Sequence, residues 1–186
     1  MTKSHLNNIL HNTIICKYRN EKIMDIERDR ILQMDDAALS ALCRISFSCG
    51  SGPGGQKRNK TSSAVKVELS QYGISASDCT ERSQFRNRSN ALKKLKMLLA
   101  LKFRQERCIP PDNPECSMNS ANYPLFAAQL LDIIHQNAFD HRRAAEICGI
   151  SPTALLKKLF RDPELWQFFQ NQRKILDLPV LHAPGK

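Results

Sequence analysis

Residues 50–60 read GSGPGGQKRNK, and four of the seven glycines of the chain, Gly50, Gly52, Gly54 and Gly55, fall inside this run. A glycine-rich turn followed by a solvated basic face is the ordinary reading of such a stretch. Its neighbours argue for more. On one side CRISFSC (43–49) alternates Cys43, Ile45, Phe47 and Cys49 against Arg44, Ser46 and Ser48; on the other, AVKVEL (64–69) alternates Val65, Val67 and Leu69 against Lys66 and Glu68. Period-two patterns of this kind predict half-buried strands. SQYG then turns the chain and ISAS supplies a third strand, so the glycine run is a connection within a small antiparallel sheet.

Working outward, Asp35 or Asp36 caps a short helix through Leu42. From Ser83, the residues Phe85, Ser89, Leu92, Leu95, Leu99 and Phe103 recur at intervals of three and four, with lysines and arginines between them. That spacing predicts a long amphipathic helix covering the sheet. A domain over 35–107 results. Residues 1–34 read as a poorly ordered extension, although LNNILHNTII and IMDIERDRILQ each suit a short helix. CIPPDNPECSMNSANYP breaks the pattern with four prolines, so 108–123 reads as a linker. Beyond it, 124–178 reads as a helical domain: an apolar segment through LFAAQLLDIIHQN, then DHRRAAEICG with Asp140 as cap and Gly149 as stop. Ser151-Pro152 and Asp162-Pro163 each place a capping side chain before a proline at the first helical position. Residues 179–186 form a tail. Separate apolar patterns in the two halves predict that residues 35–113 fold alone.

The 28 Lys and Arg against 18 Asp and Glu give a net charge of +10, which favours a polyanionic partner, most simply nucleic acid. No apolar stretch approaches the roughly 20 residues of a membrane span, so no membrane partner is expected. Seven cysteines show no paired metal-ligand spacing and the five histidines are scattered, which points to reduced, packed cysteines and to no metal, no cofactor and no Ser/His/Asp triad.

SGPGGQKRNKTSSAV, followed by GI and by ERSQFRNRSNALKKL, resembles the catalytic domain of class I peptide chain release factors, and within it the shortened, codon-independent release-factor-like hydrolases. The resemblance covers about residues 40–107. It implies an α+β fold, a small antiparallel sheet under a long helix with a Gly-Gly-Gln loop, and a peptidyl-tRNA hydrolase working in the peptidyl transferase centre of the large ribosomal subunit. By that resemblance Gly54, Gly55 and Gln56 are the catalytic loop. The backbone N–H of Gln56 stabilises developing negative charge during ester hydrolysis, and the two glycines let the main chain approach RNA. Lys57, Arg58 and Lys60 would hold rRNA phosphates, with Arg82, Arg86 and Arg88 and the helix lysines Lys93, Lys94 and Lys96 extending that surface. Asn59 and Gln84, at motif positions, contact RNA or brace the loop.

Two departures shape the expectation. Nothing in the roughly fifty residues before the loop resembles a stop-codon-reading domain, and LPVLHAPGK is not the basic tail of one branch of rescue factors. In place of that tail, AAEICGISPTALLKKL resembles a bacterial helix-turn-helix. Thr153, Lys157, Lys158 and Arg161 would be its exposed polar set, facing phosphates or base edges; a three-helix packing unit is the competing reading. The expected whole is an α+β catalytic domain followed by an all-α, helix-turn-helix-like domain, acting as a monomer on stalled ribosomes or blocked large subunits. Its expected setting is the bacterial cytoplasm, or the mitochondrion of a eukaryote. The alternative is a nucleic-acid-binding protein that works through its helical half, with the other half only docking on rRNA.

Overall fold

The structure, a computed structural model, describes residues 28–48, 63–106, 110–111 and 113–183. Two short helices open it: α1 (Arg28–Gln33) and α2 (Asp36–Leu42), the second capped by Asp35, whose carboxylate accepts the Ala38 N–H at 2.7 Å. Strands β1 (Arg44–Ser48), β2 (Ala64–Leu69) and β3 (Ile74–Asp78) form an antiparallel sheet in the order β1-β2-β3. A 3-10 turn over Ser70–Tyr72, closed by Gly73 at φ +60, joins β2 to β3. That left-handed conformation favours glycine.

Register explains the core. Phe47, Val65 and Asp78 stand in one cross-strand row and Ile45, Val67 and Ala76 in the next, so all six share the face on which Val65, Val67 and Ala76 are buried. Helix α3 (Gln84–Lys102), capped by Ser83, lies across β2 and β3 and buries Ala91, Leu92, Leu95 and Leu99. β1 is one of the two edge strands, and its alternation is expressed only weakly: Phe47 is 51% exposed and Ile45 half-buried. Phe85, which the spacing places on the apolar face of α3, is instead 81% exposed, because it stands in the first turn with the sheet-facing stripe beginning later.

Four helices follow: α4 (Tyr123–Gln136), α5 (His141–Ile147), α6 (Pro152–Arg161) and α7 (Pro163–Ile175). The caps are those expected. Asp140 accepts from Arg142 and Arg143, Ser151 from Ala154, and Asp162 from Glu164 and Leu165, with Pro152 and Pro163 in the first turns. Gly149 adopts φ +65 between α5 and α6.

The boundaries between segments differ from the sequence expectation. Residues 28–33 are not an extension but a packed helix, with Arg28, Ile31 and Leu32 buried. Helix α4 is buried on nearly every side. Its Leu125 and Ala128 join the sheet-side core, while Phe126, Leu130, Leu131 and Ile134 join the core of α5–α7, against which Met97 and Leu101 of α3 also pack. One carboxylate ties these layers. Asp132, fully buried, accepts from Arg28 Nη1 at 2.8 Å and Nη2 at 2.5 Å, from Arg104 Nη1 at 3.2 Å and from the Gln105 N–H at 3.1 Å, and Arg28 also donates to the Phe103 carbonyl at 2.8 Å. Burial lowers the pKa of the Arg104 guanidinium, only partly offset by Asp132, to about 10.

The expected linker and tail are likewise docked where they are described. Cys116 is buried, and Lys158 Nζ donates to Glu115 at 2.6 Å and to the Pro114 carbonyl at 2.7 Å. Arg173 donates to the Pro179 carbonyl at 2.9 Å, and Leu181 packs on the helical core.

Candidate functional site

Gly54, Gly55, Gln56, Lys57, Arg58, Asn59 and Lys60 lie outside the described residues. What is described is the frame that holds the two ends of their segment. Ser48 and Ala64 are cross-strand partners, so the chain leaves β1 and re-enters β2 at adjacent positions after a connection of 15 residues, 49–63. Hairpin connections run to two to five residues, and loops beyond about 12–15 residues are uncommon unless functional.

The downstream end of that connection is pinned by Asn87. Its Nδ2 donates to the Ser63 carbonyl at 2.6 Å and to the Glu81 carbonyl at 2.9 Å, while its Oδ1 accepts the Glu81 N–H at 2.8 Å; the residue is fully buried. The bond to Ser63 sets the first turns of α3 beside the connection. Arg82, Gln84 and Arg86 are exposed there; Arg86 stands 3.8 Å from Glu81 across an open surface, a pair of little energetic weight. Arg88 is half-buried, with Nε donating to Ser40 Oγ at 3.2 Å, and Ser89 Oγ donates to Asp36 at 2.8 Å, so this side of the helix braces α2.

The helix lysines separate into three kinds. Lys93 is exposed. Lys94 is bound to Asp78 at 2.5 Å; burial alone would raise the Asp78 carboxyl, yet hydrogen bonds from Lys94 and Thr80 bring it down to about 2. Lys96 is buried, donates to the Met34 carbonyl just past the end of α1, and has its pKa lowered by that burial. The basic surface expected from six cations of this stretch is therefore narrower: Arg82, Arg86 and Lys93 are free to meet a phosphate, and Lys96 is not.

In the helical half, Thr153 and Lys157 of α6 are exposed, whereas Lys158 is held by Glu115 and Arg161 donates to the Cys116 carbonyl at 2.6 Å with its guanidinium 5.9 Å from the Tyr123 ring centroid. Two of the four expected contact residues thus fasten α6 to 113–117. Charge divides in the same sense. Residues 1–107 hold 20 Lys and Arg against 10 Asp and Glu, and residues 108–186 hold eight of each. The whole excess of positive charge belongs to the first part. Among the described residues no group of three His, Cys, Asp or Glu is placed to hold a metal, and no helix is long and apolar enough to cross a membrane.

Asn87 carries a signal that spacing alone shows. It stands at i−4 to Ala91 and i−8 to Leu95, so a carboxamide occupies the buried stripe of α3. The Arg28–Asp132–Arg104 cluster has no such signal, since its members are 104 and 28 positions apart.

Comparison with known proteins matches residues 33–119 to the RF-1 domain. Among curated proteins, "Peptide chain release factor 1" of Desulforudis audaxviator is 45% identical over 64 residues and that of Carboxydothermus hydrogenoformans 44% over 64, and that of Bacillus cytotoxicus is 41% identical over 63. Each match covers 34% of this chain and 18% of the relative, so the chain spans less than a fifth of the length of the curated relatives it matches.

Proposed function

Residues 33–119 belong to the RF-1 domain family, and from that premise we propose that the chain hydrolyses the ester of peptidyl-tRNA on the ribosome without reading a codon, releasing nascent chains from stalled ribosomes or from blocked large subunits. The observation that carries the reading is the match to release factors across the 49–63 connection, in which Gly54-Gly55-Gln56 sits between two paired strands. Codon independence is supported by the resemblance of residues 40–107 to the shortened, codon-independent release-factor-like hydrolases. The proposed setting is the bacterial cytoplasm, and the acting species a monomer.

In this reading water attacks the ester carbonyl carbon, the bond to the tRNA ribose oxygen breaks, and that oxygen takes up a proton. The backbone N–H of Gln56 meets the developing negative charge, a contribution worth roughly 10²–10³ in rate for one preorganised donor. The neutral Gln56 side chain orients water and is no base, so hydroxyls of the RNA and substrate carry the proton. Lys57, Arg58, Asn59 and Lys60, with Arg82, Gln84 and Arg86, hold rRNA, positioning the loop without reading sequence. The alternative, in which the helical half is the working part and grips nucleic acid, is opposed by the charge balance of 108–186 and by the engagement of Lys158 and Arg161.

A peptide-release assay on three substrates tests the proposal: stalled ribosomes, isolated large subunits carrying peptidyl-tRNA, and stop-codon complexes. Release from either of the first two, with no gain from a stop codon, is the expected result. A requirement for the stop codon overturns codon independence, and silence on all three overturns the function.

A further inference from the structure

We infer that Asn87 is a positioning residue for peptide release, setting the point at which the 49–63 connection re-enters the sheet; the inference rests on the release reading above. A carboxamide buried on an apolar helical stripe is costly unless its groups are bonded. Here three bonds are made, and they join parts of the chain distant in sequence: the first turn of α3, the crossing at Glu81 and the Ser63 carbonyl, 24 positions upstream.

The Ser63 bond gives Asn87 a role beyond helix packing. The β1–β2 ladder begins at the Ser48–Ala64 pair, so the Ser63 carbonyl lies just past it, and Asn87 supplies its partner at 2.6 Å. Ser63 is seven residues from Gln56. A loop whose contribution is the placement of one backbone N–H depends on where its ends are held, because a misplacement of about 1 Å at a reacting centre can cost roughly 10²-fold in rate. The same side chain fixes the Glu81 backbone next to Arg82, and so couples the re-entry point to the neighbouring cations through one amide.

Two variants probe this. Asn87→Ala removes all three bonds. Asn87→Asp keeps the acceptor for the Glu81 N–H but sets a carboxylate against the Ser63 and Glu81 carbonyls. Single-turnover release by the full chain, on whichever of the three complexes the native protein serves, is expected to fall roughly ten- to a hundredfold at saturating protein. The concentration for half-saturation should stay within about threefold, since the cations are retained. Amide exchange should accelerate at 63–66 and not at 74–77. Leu99→Val, at the far end of α3, is the control for lost packing: it lowers the thermal midpoint and should leave the saturating rate alone. Should neither Asn87 variant fold, Asn87→Ser, with one donor and one acceptor retained, takes their place in the same measurements. An unchanged saturating rate, a loss confined to half-saturation, or an equal fall in the Leu99→Val control overturns the positioning role. Failure of the native chain to release peptide from any complex is a different result; it removes the function itself, and with it the reaction that Asn87 would serve.

Discussion

The sheet with α3 and the bundle of α5–α7 are built on opposite terms. The first lies within residues 1–107, which carry the entire charge excess, and it has an exposed edge strand and a 15-residue connection between adjacent strand ends; the second lies within residues 108–186, which hold eight cations and eight anions, is closed by three side-chain caps, and spends two of its candidate contact cations on holding 113–117. Long-range attraction for a polyanion therefore belongs to the first unit, because phosphate binding scales with the cations that remain available to neutralise it. In the same half, Ile147, Phe160 and Ile175 of the bundle and Val180 beyond it are exposed. The difference teaches that a helix-turn-helix outline is not by itself a nucleic-acid surface: the outline comes from caps and a glycine, and the affinity from free charge.

The comparison can be broken most directly at the connection. Gly54→Ala or Gly55→Ala should lower single-turnover release by roughly 10²-fold or more with ribosome binding nearly intact, since an added methyl restricts the backbone. Gln56→Ala keeps the N–H and should lose less; a larger loss than in the glycine variants would place the side chain at the centre of the chemistry.

A second test asks whether the two units are separable. Arg28→Ala leaves Asp132 buried with its closest partner gone, a cost of about 3–5 kcal/mol. Sheet and bundle should then unfold together, with a midpoint roughly 10 °C lower by calorimetry. Two separate transitions would contradict the shared core. By the same reasoning the fragment 35–113, expected from its pattern to fold alone, should aggregate, because it lacks α1 and α4 and bares Met97 and Leu101.

Salt dependence sharpens the charge contrast. Arg82→Ala or Arg86→Ala should each flatten the slope of log affinity against log salt by about one unit, while Lys157→Ala should leave it unchanged. An equal change for Lys157 would restore the bundle as a nucleic-acid surface.

The smallest effect concerns acid. The Asp78 carboxyl is depressed to about 2 in the folded chain, below its unfolded value, so its stabilising contribution is present above the unfolded pKa and is lost as pH falls toward 2. Lys94 is about half exposed, so the pair contributes on the order of 1 kcal/mol. Lys94→Met should move the acid-unfolding midpoint up by roughly 0.5 pH unit, followed by circular dichroism. No movement would leave Thr80 as the group that holds the carboxylate.

Most of the local architecture is written in short stretches. Alternation at 64–69, the Asp35, Asp140, Ser151 and Asp162 caps, and Gly73 and Gly149 depend on neighbours within a few positions, and each forms where the pattern places it. The Gly-Gly-Gln run and its family are equally local, being a matter of residue order. What a residue does with its charge is not. Lys96 and Lys93 read alike as helix cations, and only the arrival of Met34 against α3 buries one and leaves the other in solvent. Arg28, Arg104 and Asp132 become one cluster only when α1, the end of α3 and α4 meet, which also turns an apparent extension and linker into core. Periodicity records which face of an element is apolar; the tertiary structure alone decides which other face covers it, because that choice rests on contacts between residues that share no local pattern.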